Sequence, residues 1–160
     1  MPTMADFEDH MTTAFPEVRL KQFLEMRGAD SGMWANICAL PAFWVGLLYD
    51  DEALEEAASL ASNLRADDVM AARLSVAKDG FRGRLGSHDV YDLATRLVSI
   101  SSKGLRRRGI LDSGSGDESG FLSPLRDCLD NQRTPAEMLL DALHGEWKND
   151  VSQIFNANSF

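Results

Sequence analysis

Between Glu17 and Arg27 the chain alternates. The even positions Val18, Leu20, Leu24 and Met26 are apolar, with Gln22 the one exception, and the odd positions are Glu17, Arg19, Lys21, Phe23, Glu25 and Arg27. A period of two over this length predicts one long β-strand across residues 14–30, with one face in a core and the other charged. Leu, Met, Lys and Gln are better helix formers than strand formers, but apolar positions spaced i, i+2, i+6, i+8 fit no single helical stripe. On such a strand Glu25 and Arg27 project from the same side, ~6.5–7 Å apart. A solvent-facing strand carries charges like these for solubility or edge protection. The same face also offers a carboxylate and a guanidinium at one spot, and the pattern alone leaves both readings open.

Past Gly28, which supplies freedom to turn, the period changes to that of helices. Residues 30–36 read as a loop holding Trp34. Pro41 suits the first turn of a helix whose face is Phe43, Trp44, Leu47 and Leu48. Glu52 to Leu64 forms a second helix with acidic residues in its first turn, and Ala66 to Lys78 an alanine-rich third, ending at Gly80. Phe81 to Gly86 is a loop with two arginines, lacking the spacing and the lysine of a phosphate-binding loop. Ser87 is a good N-cap for a long helix carrying Val90, Leu93, Ala94, Leu97 and Val98 on one stripe. Residues 111–120, rich in Gly and Ser, read as a flexible loop. Ser123-Pro124 starts a short helix. Thr134-Pro-Ala-Glu137 is a capping box with proline at the first helical position, opening a helix that ends near Gly145. Trp147 onward reads as a tail, with Val151, Ile154 and Phe155 packing back onto a surface. Near the start, Asp6 begins a short helical turn, and His10 reads as a surface histidine. The expected architecture is α+β and mostly helical, a single domain over 1–160: one long strand, then about six helices, with the helical region at 41–145. A lone strand cannot satisfy its own backbone groups, so partner strands are expected from outside this chain.

Composition narrows the partners. The 160 residues carry a net charge of −9 and a pI near 4.7, which repels phosphate backbones, so no nucleic acid is expected. The one basic cluster, Lys103 with Arg106, Arg107 and Arg108, falls where a helix should end and complements its dipole. Cys38 and Cys128 are far apart and suggest neither a metal site nor a disulfide framework. No stretch reads as a signal peptide, and the longest apolar run, Ile37 to Tyr49, is short for a bilayer and broken by Pro41. No membrane association is expected, and the cytoplasm is the expected location.

Two blocks in order carry a resemblance. Phe15-Pro-Glu-Val-Arg-Leu-Lys-Gln-Phe-Leu-Glu-Met-Arg-Gly-Ala-Asp30 and Cys38-Ala-Leu-Pro-Ala-Phe-Trp-Val-Gly-Leu-Leu-Tyr-Asp50 resemble glutamate–cysteine ligase of the plant and alphaproteobacterial type. Phe81-Arg-Gly-Arg84, Phe121-Leu-Ser-Pro-Leu125, Thr134 to Leu140 and Gly145-Glu-Trp147 extend it to nearly the whole chain. The resemblance is to the C-terminal third or so of that enzyme. It implies part of a glutamine-synthetase-like carboxylate–amine ligase fold, with the strand joining a sheet built by an N-terminal portion not present here. It also implies ATP-dependent joining of L-glutamate and L-cysteine through a γ-glutamyl phosphate, the first step of glutathione synthesis, with ATP and Mg²⁺ as cofactors. By resemblance Glu25 matches a magnesium ligand and Arg27 a catalytic arginine that contacts phosphate. Glu17, Arg19 and Trp34 are further substrate-site candidates. In the family the tryptophan is followed by basic residues, whereas Ala35 and Asn36 follow Trp34 here.

Two function classes follow. In the first the chain is a segment of the ligase, inactive alone and completed by the remainder of the same enzyme. In the second it is a non-catalytic helical module that binds another protein through its unpaired strand.

Overall fold

Two units, Met1–Ser31 and Gly32–Phe160, divide the chain, where its length led to one. The computed structural model describes residues 1–13, 15–30, 32–112, 114 and 116–157. The first unit opens with helix α1 (Met4–Thr12). Its start is a capping box: the Asp6 amide donates to Thr3 Oγ1 at 3.3 Å and the Thr3 amide to Asp6 Oδ2 at 2.6 Å. Asp6 is thus the third helical residue of a capped helix rather than its starter, and the Thr-x-x-Asp spacing is legible in the sequence.

The long strand expected over 14–30 is corrected by the structure to a hairpin, β1 (Val18–Leu20) and β2 (Leu24–Met26); Ala14 lies outside the described residues. Val18 pairs with Met26, Arg19 with Glu25 and Leu20 with Leu24. The ladder is extended by the Arg27 amide donating to the Glu17 carbonyl at 2.8 Å and closed by the Lys21 amide donating to that of Phe23 at 2.9 Å. Folding back gives the strand partners within its own chain, which a lone strand lacks. Gln22, the one polar even position, is the tip. Because partners share parity, the odd-numbered side chains of both strands stay on one face and the even-numbered ones on the other. Their exposure runs against expectation: Val18, Leu20 and Leu24 are 47%, 79% and 56% exposed, while the charged face is half-buried.

The second unit is helical: α2 (Trp34–Leu48), α3 (Asp51–Ala61), α4 (Ala66–Asp79), α5 (Val90–Arg108), α6 (Ser123–Asp130), α7 (Pro135–His144) and α8 (Gln153–Ala157). Two small hairpins interrupt them, β3 (Arg84–Leu85) with β4 (His88–Asp89), and β5 (Leu111–Asp112) with β6 (Gly116–Asp117). Seven helices thus follow the hairpin among the described residues. The second small hairpin occupies part of the loop expected at 111–120, of which Ser113 and Ser115 lie outside the described residues. A short 3-10 stretch, Glu118–Leu122, leads into α6.

The centre of this unit is the crossing of α2 and α5. Leu47, Ala53 and Ile100 are buried there, with Phe43, Trp44, Leu48, Leu60 and Leu97 packed around them. Phe43 and Trp44 meet edge to face at 5.3 Å. Gly46 and Gly104 face one another across the crossing. A Cβ at 104 would meet the Gly46 carbonyl, its carbon at 3.0 Å and its oxygen nearer still. A Cβ at 46 would meet the Ser101 carbonyl and hydroxyl, and Leu105 Cγ at 2.9 Å. The fully buried Ser101 hydroxyl donates to the Phe43 carbonyl at 2.9 Å, so this polar side chain is satisfied.

Helix α2 starts seven residues before Pro41 and runs through it. Pro41 lacks an amide and leaves the Ile37 carbonyl without its usual partner. Both residues are on the exposed side of the helix, where the carbonyl is open to solvent and the missing bond is least costly. The long helix α5 starts at Val90, after the β4 strand, and Ser87 sits instead in the two-residue β3–β4 turn beside Gly86, whose φ of +58° favours glycine. Its basic end is held by tertiary ion pairs as well as by the dipole. Arg107 Nε lies 3.0 Å from both Asp50 oxygens, and Arg108 Nε lies 3.3 Å from Glu118 Oε2. The capping box at Thr134 and the helix end at Gly145 are as the sequence led one to expect. In the tail, Val151 and Phe155 are 66% and 78% exposed, which corrects the expectation that they pack back, while Ile154 is half-buried.

Candidate functional site

The charged face of the β1–β2 hairpin holds a shared-carboxylate network. Arg19 and Glu25 are directly opposite in the ladder, and Arg19 Nε donates to Glu25 Oε2 at 2.7 Å. Arg27, two residues along the same face, donates from Nη1 to that same oxygen at 3.3 Å. Oε1 takes part in neither bond. On its other side the Arg27 guanidinium lies 5.2 Å from the centroid of the Phe15 ring, within cation–π range. The three charged side chains are 23%, 31% and 24% exposed for Arg19, Glu25 and Arg27. They are partly shielded but reachable.

Arg19 beside Glu25 holds its carboxyl below the usual range for a glutamate, and Arg27 adds to this, outweighing the partial desolvation that acts the other way. The carboxylate is therefore ionised at neutral pH, and the face carries Arg19⁺, Glu25⁻ and Arg27⁺ together. Glu17, across from Arg27 at the open end of the ladder, turns its carboxylate toward Gly28. A Cβ there would lie 2.7 Å from Glu17 Oε2. Gly28 thus leaves room for a carboxylate, and its φ is not positive, so it does not act as the turn residue the sequence suggested.

Among the described residues no group of three or more His, Cys, Asp or Glu comes together to hold a metal ion. The fit to Mg²⁺ is therefore that of one ligand and no more. Mg²⁺ commonly takes one or two carboxylates, with phosphate oxygens and water completing its octahedron. Glu25 Oε1, outside both arginine bonds, fits such a part. His10, in the last turn of α1, is exposed and belongs to no such group.

Trp34 lies in the other unit, at the first residue of α2, and is 69% exposed. It is not a core tryptophan. The two loop arginines at 82 and 84 are committed within the chain: Arg82 Nη2 to Glu137 Oε1 at 3.0 Å and Arg84 Nη1 to Asp89 Oδ1 at 2.7 Å. Sequence reasoning missed the contact of Phe15 with Arg27 and the bond of Arg19 to Glu25. Both follow from parity, since 15, 19, 25 and 27 are all odd, once Gln22 is taken as the point of reversal.

The sequence profile described as Glutamate-cysteine ligase family 2 (GCS2) matches residues 2–157. The chain belongs to this ligase family. It is 42% identical over 154 residues to the chloroplastic glutamate–cysteine ligase of Solanum lycopersicum, covering 96% of this chain and 28% of that protein. Against ligase A of Oryza sativa subsp. indica it is 42% identical over 155 residues, 97% of this chain and 30% of that one. Against the Arabidopsis thaliana ligase it is 40% identical over 155 residues, 97% and 28%. The chain thus spans under a third of the length of the curated ligases it matches. Each of these relatives is named chloroplastic, which overturns the cytoplasmic expectation. That expectation had rested on finding neither a signal-peptide pattern nor a bilayer-length apolar run in the sequence.

Proposed function

We infer that this ligase segment supplies the β1–β2 hairpin to an ATP-dependent condensation of L-glutamate with L-cysteine, giving γ-glutamylcysteine by way of a γ-glutamyl phosphate. The observation that supports it is the convergence of Arg19 Nε and Arg27 Nη1 on one carboxylate oxygen of Glu25, in a chain about two-fifths identical to named ligases over nearly all its length. The reaction transfers a phosphoryl group to a carboxylate, so its demands are positioning and charge neutralisation. Arg27, held between the Phe15 ring and Glu25, presents a planar fork suited to two phosphate oxygens. As the phosphoryl group moves, that fork neutralises the growing charge at no reorganisation cost. Arg19 adds a second positive charge on the same face, and Glu17 and Trp34 are candidates for lining the glutamate or cysteine site. Glu25 would hold Mg²⁺ from this chain, and the ion would supply charge neutralisation at the phosphate oxygens. The remainder of the ligase is the partner for the exposed apolar face of Val18, Leu20 and Leu24, since at least two-thirds of each relative's length lies outside the match.

The test is steady-state kinetics in a complete ligase carrying this segment, with the segment alone as the inactive control. Arg27→Lys keeps the charge but loses the fork, and is expected to lower kcat by about a hundred- to a thousand-fold with a smaller change in KM. Glu25→Gln is expected to lower activity and raise the magnesium concentration needed for half-maximal rate. An exposed structural ion pair is worth about 1 kcal/mol or less and gives no kinetic defect. Near-normal kcat and magnesium dependence in both variants, with unchanged melting, would remove the hairpin from the site.

A further inference from the structure

Both hairpin arginines spend a donor on the same atom. Arg19 Nε and Arg27 Nη1 meet Glu25 Oε2 at 2.7 and 3.3 Å. Two guanidinium donors converging on one oxygen are what an oxygen of a phosphate chain would also require. In the hairpin as it stands a carboxylate fills that place. We propose that Arg19 and Arg27 form a clamp for a polyphosphate oxygen, and that Glu25 is its built-in competitor, released when the polyphosphate arrives with a divalent cation. This rests on the ligase reading and adds to it a reason for metal dependence at the level of binding.

The argument is one of partner exchange. A polyphosphate arriving without a cation must displace Glu25 from both arginines and then tolerate that carboxylate as a like charge beside it. Arriving with Mg²⁺, it gives Glu25 a new partner. Two arginine–carboxylate contacts are exchanged for arginine–phosphate and carboxylate–cation contacts, and no charge is left unpaired. The three side chains are each about a quarter to a third exposed, so the exchange needs no opening of a core. Phe15 holds Arg27 from the opposite side, so the guanidinium stays in place while its anionic partner changes. The opposing account makes Glu25 a support that orients the two arginines. The accounts differ in sign: removing a competitor strengthens metal-free binding, and removing a support weakens it.

The experiment titrates the full 160-residue chain with inorganic triphosphate, with and without Mg²⁺, by calorimetry and by the arginine Nε–H resonances. In the parent chain Mg²⁺ should tighten binding, and Mg²⁺-triphosphate should shift the Arg19 resonance away from its carboxylate-bonded position. Glu25→Gln should bind triphosphate about two- to fivefold more tightly without Mg²⁺, the range one exposed ion pair gives, and should lose most of the tightening by Mg²⁺. Glu25→Ala is the second variant, because it leaves no side-chain acceptor for the arginines; it should show the same gain, with cross-strand contacts between β1 and β2 as the folding control. Weaker metal-free binding in both variants overturns the competitor. Arg27→Gln separates this from the ligase reading. If it weakens binding while the Glu25 variants gain nothing, only the competitor falls. If it leaves binding unchanged, or if no chain binds, the clamp and its competitor fall, while the hairpin's place in the ligase site stands or falls separately on the kinetics of Arg27→Lys and Glu25→Gln in the complete ligase.

Discussion

Gly104→Ala sets two well-known effects against each other with opposite signs. Alanine is favoured over glycine by about 1 kcal/mol in a helix interior, so propensity alone has the substitution stabilise α5. Packing says otherwise. The added Cβ would lie 3.0 Å from the Gly46 carbonyl carbon and 3.1 Å from Ala53 Cβ, and nearer still to the Gly46 oxygen. Carbon atoms settle at about 3.5–4.0 Å, so α2 and α5 must part by at least about 0.5–1 Å, and further to clear the Gly46 oxygen. The obstacle is backbone on the α2 side, which cannot rotate away as a side-chain end does. A gap of that size forfeits a quarter to a half of each dispersion contact across it, and overpacking of this kind costs about 1–3 kcal/mol. Set against the propensity gain, the net is a loss of up to about 2 kcal/mol, or a Tm lowered by up to about 4–8 °C in a domain of this size. Gly46→Ala should behave alike, because its Cβ meets the Ser101 carbonyl and hydroxyl and Leu105 Cγ. The double variant should cost less than the sum, since one parting of the helices relieves both. Ser99→Ala, on the exposed side of α5, is the control and should be neutral or slightly stabilising. Thermal melts on the four variants decide it: a Tm raised above the parent for Gly104→Ala, as propensity alone has it, would refute the close crossing.

Asp50 caps α3 by accepting from the Ala53 amide at 2.9 Å and pairs with Arg107, and the Arg107 bond, with the Ala53 amide second, holds its carboxyl below the usual aspartate range. A folded-state value below the unfolded one contributes stability above the unfolded value and loses it as pH falls through the folded one. Asp50→Asn, which keeps the cap and removes the charge, should therefore melt lower than the parent at neutral pH and converge with it in acid; parallel Tm–pH curves would rule this out. The exposed apolar face of the hairpin should make the isolated chain self-associate, and Leu20→Lys, at a position 79% exposed, should shift it toward monomer. Sedimentation velocity across a concentration series checks this, and a clean parent monomer at high concentration contradicts it.

The helices were legible because their signals are local. Gly80 after an alanine-rich run and Thr134-Pro-Ala-Glu137 each fix an end by backbone hydrogen-bonding needs that the neighbouring residues state outright. Pro41 misled, because a proline at a first turn and a proline on the wet side of a running helix look the same in sequence; only tertiary exposure tells them apart. Ser87 misled for a related reason. It is a good cap in isolation, but pairing of Leu85 with His88 delays α5 to Val90.

The hairpin was half legible, and the missing half is the instructive one. Alternation sorts charged from apolar side chains correctly on a straight strand or on a folded one, because a reversal centred on a residue keeps parity. It does not say which. The usual signs of reversal are glycine, proline, asparagine or aspartate, and Lys21-Gln22-Phe23 offers none; nor does any of the three have a positive φ. The single break in the apolar register, Gln22, was the mark of the turn. Taken that way, the pairing of Arg19 with Glu25 follows by counting outward from 22, and so does the placing of Phe15 on the face of Arg27. What counting cannot supply is the sharing of one oxygen by two arginines. That depends on side-chain reach in three dimensions, and it turns a row of surface charges into a group whose carboxylate has to choose between partners.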